Sequence, residues 1–362
     1  LHRVDRRQRQ MCIRDRLSGD ARPAPRPVVQ EVHRPTAPLL RYIDQVVGSG
    51  SEHLEFRFSQ GVLTRFDIDI LHVADENLGD LLGTPEAGSP ASPLAVAVLV
   101  RNLRRHDIAL IRTLSPASSD PPSGRSSRWA QSLLDRATDA FIVFDESTPT
   151  PDADKTTLIP HAHYRDRFLG YPRASIVRNR VLCIAPTELP PQTHGLVAIP
   201  RAANTTDLEL RVVGSAAPAL ARAIDSEAAR YPRHLSARLE ALSDGAQVQE
   251  IDAAELTIIP QTRTIEHYQA LFLALSLDRP VLTPRTEAMT RLAQQVGPDW
   301  LHLSDGPVTA DALDLALARV RAAPDGTRPN LHGRSLQTTQ NAYAVLFEDV
   351  AHRRARSGIS SR

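Results

Sequence analysis

The chain is predicted to be an α/β protein of two doubly wound, Rossmann-like units that face a cleft, with a last helix packing back on them. Three observations predict it. Short apolar, β-rich runs alternate with helical patterns along most of the sequence, as in parallel sheets covered by helices on both faces. The alternation lapses once, at PTPDADK (residues 149–155), and resumes near Arg180. The length, 362 residues, suffices for two ordinary domains.

In the first half, strands are expected over residues 28–32, 54–58, 68–73, 108–114 and 140–144. Helices are expected over 38–47, 78–82, 94–105 and 129–137, with a Pro- and Ser-rich loop at 116–127. In the second half, strands are expected over 181–185, 208–213, 256–259, 281–282 and 300–303, and helices over 217–229, 234–242, 268–277, 287–296 and 310–322. Gly214 directly follows its strand, as a tight βα turn wants. A last helix over 331–352 carries an apolar face at Leu336, Ala342, Val345 and Leu346. Residues 247–250 also read as a strand, but only residues 251–255 separate them from the strand at Leu256. A parallel crossover needs about ten or more, so either a crossover helix is missing there or that segment lies outside the sheet. The resulting division is 22–157 for the first domain, 158–328 for the second, 329–352 for the C-terminal helix and 353–362 for a disordered tail. Residues 1–21 are set aside as non-native or disordered. They lack the apolar core of a signal peptide, position 1 is Leu, and MCIRDR resembles translated sequencing-adapter sequence. The other reading is a basic arm for an acidic partner.

Composition narrows the function classes. The 43 basic and 42 acidic residues nearly cancel and are interspersed, so no basic field points to nucleic acid. Aromatic residues are 4% of the chain, too few for base-stacking platforms. The two cysteines, Cys12 and Cys183, exclude a disulfide framework or a Cys-based zinc site and fit a reducing cytoplasm. No run reaches the roughly 20 apolar residues of a membrane span.

The most informative stretch is IIPQTRTIEHYQALFLALSLDRPVLTP (residues 258–284), which reads as strand, loop, helix, strand. A loop at a strand's carboxyl end that feeds a helix N-terminus is an anion site, because the first helical N–H groups are unpaired and the dipole favours negative charge. Arg263, Glu266 and His267 surround it. Arg263 is suited to a phosphate and Glu266 to a sugar hydroxyl; the plain alternative is a solvated loop. Asp75 and Glu76 follow the strand over 68–73, where a carboxylate can serve as general base; the plain alternative is a helix N-terminal acid. Arg285 follows another strand end and reaches toward the cleft. His161 and His163, two apart on the domain junction, share one face of an extended segment. They stand either near a donor or in hydrogen bonds across the hinge. No third ligand is spaced for a metal.

Three segments of the second half, LIPHAHYRDRF (158–168), ALFLALSLDRPVLTP (270–284) and VGPDWLHLSDGPVT (296–309), resemble the donor domain of GT-B glycosyltransferases. They are most similar to the family-4-like enzymes of actinobacteria that build cell-surface and exopolysaccharide glycans. FDIDILHVADENL (66–78) and IALIRTL (108–114) extend the likeness more loosely into the first half. The resemblance implies two Rossmann-like domains and transfer of a sugar from a nucleoside-diphosphate donor, with a GDP-sugar among the candidates. The implied acceptor is a glycan or a lipid-linked acceptor. It implies no metal and no cofactor, no nucleic acid, and a cytoplasmic protein compatible with peripheral contact at the inner membrane face. The departures concern the site. Where the family has Val-His-Asn, this chain has Leu114-Ser115-Pro116. The family's cationic diphosphate clamp falls in TELPPQTHG (187–195), leaving His194. Its Asn-Ser-Gly at the donor helix reads His267-Tyr268-Gln269, so these three are the implied phosphate-side residues, with Tyr and Gln crowding the approach. Of its paired glutamates, Glu266 lies one position beyond the first slot and Leu273 fills the second. Glu76 and Glu266 are the implied catalytic carboxylates. The losses raise a second reading, a degenerate paralogue that binds a partner or glycan on the same scaffold. A third is a sugar-nucleotide epimerase.

Overall fold

The computed structural model describes residues 26–31, 37–47, 54–59, 63, 66–83, 92–119, 124–184, 193–216, 218–324 and 326–360. The first sheet contains β1 (Arg26–Glu31), β2 (Leu54–Ser59), β3 (Ile70–Ala74), β4 (Ala109–Leu114), β5 (Ala140–Val143) and β6 (Thr156–Leu158), in the order β2-β1-β3-β4-β5-β6. Its helices are α1 (Ala37–Val46), α2 (Leu78–Leu81), α3 (Pro93–Arg105) and α4 (Arg125–Ala137). The second sheet contains β7 (Arg180–Ile184), β8 (Glu209–Val213), β9 (Leu235–Arg238), β10 (Leu256–Ile258), β11 (Val281–Pro284) and β12 (Leu301–Ser304), in the order β12-β11-β10-β7-β8-β9. Its helices are α5 (Thr193–Leu196), α6 (Ile199–Ala202), α7 (Pro218–Arg230), α8 (Asp244–Ala253), α9 (Ile265–Ser276), α10 (Glu287–Val296) and α11 (Ala310–Ala322), followed by α12 (Leu336–Ser360). The strand pairs are parallel in both sheets.

Parallel sheets need apolar strands because helices cover both faces, and β3, β4 and β5 are buried throughout. One face of the first sheet (Leu71, Val73, Leu110) packs under α3 and α4 through Val96, Val100, Leu103 and Leu134. The other (Ile70, Ile111, Ile142) meets Tyr42 and Val46 of α1 and Tyr343, Phe347 and Val350 of α12. That core continues without a break into Leu271 and Phe272 of α9, so the two domains are packed against each other. The second sheet's outer face (Val181, Leu210, Leu256, Ile258) is closed by Leu220 of α7 and Leu313 and Leu317 of α11. In each sheet the strand order reverses once, between β1 and β3 and between β7 and β10. Loops leaving such points form the binding crevice of doubly wound sheets.

Several local expectations are corrected. The helix expected over 234–242 is the edge strand β9, paired with β8. Its Leu235, Leu239 and Leu242 have helical spacing, but the backbone finds its partners across the sheet. The strand expected over 247–250 lies inside α8, capped by the Ser243 hydroxyl on the Ala246 N–H. No crossover is missing: β9, α8 and β10 form an ordinary unit. The short edge strand β6, which pairs with β5, occupies a stretch given no element. Gly214 adopts φ +105°, the left-handed turn expected after β8. On α12 the buried face is carried by Tyr343, Leu346, Phe347 and Val350, while Val345 is 66% exposed. The helix also runs past His352, where Arg354 pairs with Asp139 at 2.9 Å and with Asp107 at 3.1 Å. Residues 1–21 lie outside the described residues.

Candidate active site

The switch point of the first sheet places the turn Asp75–Asn77 directly after β3. Asp75 turns back into its own domain and holds the guanidinium of Arg112 with both oxygens, at 2.7 and 2.5 Å. Arg112, fully buried on β4, also reaches Asp135 at 2.6 Å. A buried guanidinium needs this much compensation, so Asp75 is structural. Glu76 points the other way. Its Oε1 accepts the Ile265 N–H, the first amide of α9, at 2.8 Å across the domain boundary. The Ser115 side chain hydrogen-bonds the same carboxyl. Solvent still reaches Glu76, yet the protein crowded around it pushes its pKa up to about 7, and the charges of Glu266 and Asp75 act in the same direction. Beside it, the Ala117 N–H donates to the Arg263 carbonyl at 2.9 Å, tying the loop after β4 to the loop after β10.

On the second-domain side, Thr264 caps α9 and His267 stands three residues on. The Thr264 N–H donates to His267 Nδ1 at 3.2 Å and the His267 N–H to Thr264 Oγ1 at 3.4 Å, a capping box with imidazole in the usual Glu or Gln place. Burial and the Arg263 charge push the His267 pKa down to about 4. The imidazole is therefore neutral, with its proton on Nε2. The helix start therefore uses the accepting nitrogen of His267, and Nε2–H is the one group of the ring that a phosphate could accept from. The expectation for Tyr268 and Gln269 is corrected. They are 4% and 1% exposed and turn into the interior, Tyr268 against Phe144 at 5.5 Å, so neither lines the approach to α9.

The structure thus gathers Glu76, Ser115, Arg263, Glu266 and His267 at one point between the domains, with Arg263 exposed at its mouth. Arg285 stands apart on the loop after β11, where its Nε donates to Asp305 at 2.6 Å. His194 belongs to α5, but its side chain and residues 187–192 of the expected clamp lie outside the described residues. The junction histidines take the structural alternative. His161 is fully buried, stacked on Phe272 at 5.3 Å, with Nδ1 2.9 Å from the Ala162 carbonyl. Burial pushes its pKa down to about 3. His163 is half-buried and accepts the Arg165 N–H at 3.3 Å. Neither faces the Glu76 site as a proton carrier.

Sequence reasoning missed the residues that join the domains. Asp145, after β5, pairs with Arg291 of α10. The buried Tyr268 hydroxyl lies in the field of both and of Arg334, with no hydrogen-bond partner among the described residues. Arg41 of α1 pairs with Asp244 of α8 at 3.1 Å and bonds Gln247. Asp145 carried a weak signal, an acid directly after an apolar strand; the arginines carried none, since they sit inside helices. Among the described residues no three His, Cys, Asp or Glu side chains form a metal-binding group.

Two six-stranded parallel sheets with one switch point each, and with loops meeting between them, match solved structures over nearly the whole chain. An Anabaena protein, HepE, crystallised with UDP, aligns at a TM-score of 0.55 and 12% identity, covering 93% of this chain and 100% of that one. The catalytic domain of Arabidopsis thaliana starch synthase IV, bound to ADP and acarbose, aligns at 0.53 and 9% identity, covering 91% and 99%. The chain has a GT-B fold. No protein-family model matches it. In sequence, this GT-B chain is 29% identical over 311 residues to a GDP-mannose:glycolipid 4-beta-D-mannosyltransferase of Xanthomonas campestris, across 85% of this chain and 87% of the relative.

Proposed function

We propose that the chain is a glycosyltransferase that moves a sugar from a nucleoside-diphosphate donor, a GDP-sugar by preference, to a lipid-linked glycan in the synthesis of a cell-surface polysaccharide. The observation that carries the reading is the placement of Glu76, a carboxyl delivered by one domain onto the first amide of the other domain's switch-point helix. The first turn of α9 suits the leaving diphosphate, and Arg263 stands beside it. Donor and Glu76 carboxylate compete for the Ile265 N–H, so an arriving diphosphate frees Glu76 toward the acceptor. The acceptor oxygen then bonds to the anomeric carbon as the bond from that carbon to the diphosphate oxygen breaks. The hydroxyl proton passes to Glu76 and the electron pair leaves with the diphosphate. The β linkage in the relative's name fits such a single displacement from an α-linked donor, and its GDP-mannose and glycolipid support the donor and acceptor classes.

The neutral His267 and the inward Tyr268 and Gln269 favour one competing reading, a binding protein on a GT-B scaffold. Calorimetry with GDP, UDP and ADP, followed by transfer assays with GDP-mannose and polyprenyl-linked glycans, separates the two. Binding of GDP with enzyme-like turnover supports transfer. Absence of binding to every nucleoside diphosphate rejects it, and binding without turnover leaves the scaffold reading.

A further inference from the structure

α3 and α4 lie side by side on the outer face of the first sheet and carry two aligned outward stripes. Residues 94, 98, 101 and 105 recur at helical spacing on α3, and 125, 129, 132 and 136 on α4, opposite the buried Val96, Val100, Leu103, Ala130 and Leu134. The stripes expose Leu94 (73%), Val98 (50%) and Trp129 (50%). Leu94 and Val98 lie in the first half of α3 and Trp129 in the first half of α4. The right-handed crossovers bring both helix starts to the C-terminal edge of the sheet, the edge that carries Glu76. Around these apolar side chains stand the exposed Arg101, Arg104, Arg105, Arg125, Arg128 and Arg136. None of the six makes an ion pair among the described residues. α3 contains no acid, and the single acid of α4, Asp135, is held by Arg112 and Gln131. A hollow of about 410 Å³ beside α4 adds Lys155 to Arg128 and Arg136, with Asp135 and Asp152 also on its wall.

We propose that this face docks the protein on an anionic phospholipid bilayer, with Leu94, Val98 and Trp129 entering the headgroup region and the arginines meeting lipid phosphates. The inference goes beyond sugar transfer and does not require it. Charge decides the occupant. Exposed aliphatic side chains with an indole, rimmed by unpaired cations, match an interface that is negative outside and apolar within. The position of the apolar tip beside the Glu76 edge would let a lipid-anchored molecule enter the cleft from the bilayer.

The test uses the full chain with Trp300→Phe, which leaves Trp129 as its sole tryptophan. Flotation and Trp129 emission are followed with vesicles of phosphatidylcholine alone and of phosphatidylcholine with phosphatidylglycerol. Binding and a blue shift are expected with the anionic vesicles only. The triple variant Arg101→Ser/Arg105→Ser/Arg128→Ser should bind about a hundred-fold more weakly, at about five-fold per arginine. Val98→Glu should abolish the association, and Arg319→Ser on α11 should leave it unchanged. Val98, Arg101, Arg105, Arg128 and Arg319 are exposed, and circular dichroism with GDP calorimetry on each variant reports the fold and the nucleotide site separately. The proposal is overturned by failure to bind anionic vesicles, by binding that survives the substitutions, or by an emission shift that RNA produces and vesicles do not. A dimer that Val98→Glu dissociates, showing the face covered by a second copy, also overturns it.

Discussion

Replacing Glu76 by Gln tests the proposed base with little disturbance of the fold. The amide keeps an oxygen for the Ile265 N–H at 2.8 Å and a partner for the Ser115 side chain, but it cannot take a proton. A positioned general base contributes about 10²–10⁴ in rate, or roughly 3–5 kcal/mol of the barrier, so kcat should fall by that factor. In the unsubstituted enzyme kcat/KM should rise with pH up to about 7, where Glu76 loses its proton, and then level off. In Glu76→Gln that limb should vanish. Nucleoside-diphosphate affinity should move the opposite way at pH 8. The lost carboxylate no longer competes for α9 or repels the diphosphate, and about 1 kcal/mol, roughly five-fold tighter binding, is expected for a solvent-reached charge. Transfer kinetics across pH and calorimetry on both proteins give the answer. A Glu76→Gln enzyme with unchanged kcat and an unchanged acid limb would refute the reasoning.

The same carboxyl should leave a mark on stability. Its pKa is raised from 4.5 to about 7 on folding, so the folded state holds the proton more tightly. The stability that this adds is complete below about pH 4.5 and lost as pH rises to about 7, so Glu76→Gln, which resembles the protonated carboxyl, should match the parent below about pH 4.5 and become the more stable of the two as pH rises through that window in thermal melts. Arg112→Met should cost about 3–5 kcal/mol in urea unfolding, because Asp75 is left as a buried unpaired charge; adding Asp75→Asn should restore part of it. His267→Gln should be nearly neutral in stability and in GDP affinity, since Gln is an ordinary partner in a capping box, whereas His267→Ala should cost about 1 kcal/mol. A loss of GDP affinity in His267→Gln would show that the imidazole touches the donor.

How far the sequence reaches depends on the range of the interaction. The two parallel sheets were legible because each buried strand writes an apolar run and each crossover helix a periodic one. β9 was not, because Leu235 and the following Leu239 and Leu242 have the spacing of a helix and only the neighbouring β8 decides otherwise. The position of Glu76 followed from its place after β3, and that of Arg263 and Glu266 from the loop before α9. The roles of Tyr268, Gln269 and His267 could not be read that way. Which face of a helix start turns inward depends on Phe144 and His161, distant in sequence, and an imidazole used as a cap looks the same in a sequence as one offered to phosphate. The domain-joining pairs Asp145–Arg291 and Arg41–Asp244 are contacts of long sequence separation between common residues, and no local pattern encodes them.

Those contacts hold the two domains together around the Glu76 site. Two carboxylates of the first domain rest on donors of the second, Glu76 on the Ile265 N–H and Asp145 on Arg291, while the Ser147 N–H steadies Asp145 at 2.8 Å. Against them stands the Tyr268 hydroxyl, buried between Asp145, Arg291 and Arg334 with no hydrogen-bond partner among the described residues, a state that costs about 1–3 kcal/mol. Opening the gap lets water reach that hydroxyl but breaks the Asp145 pair, so the two effects pull the domains in opposite directions. Tyr268→Phe keeps the ring on Phe144 and removes the hydroxyl. It should raise stability by about 1 kcal/mol and slow the exchange of backbone amides at the start of α9. Asp145→Asn should do the reverse, and the double variant should return toward the parent. If Tyr268→Phe is instead destabilising, the hydroxyl is hydrogen-bonded in solution and does not oppose closure.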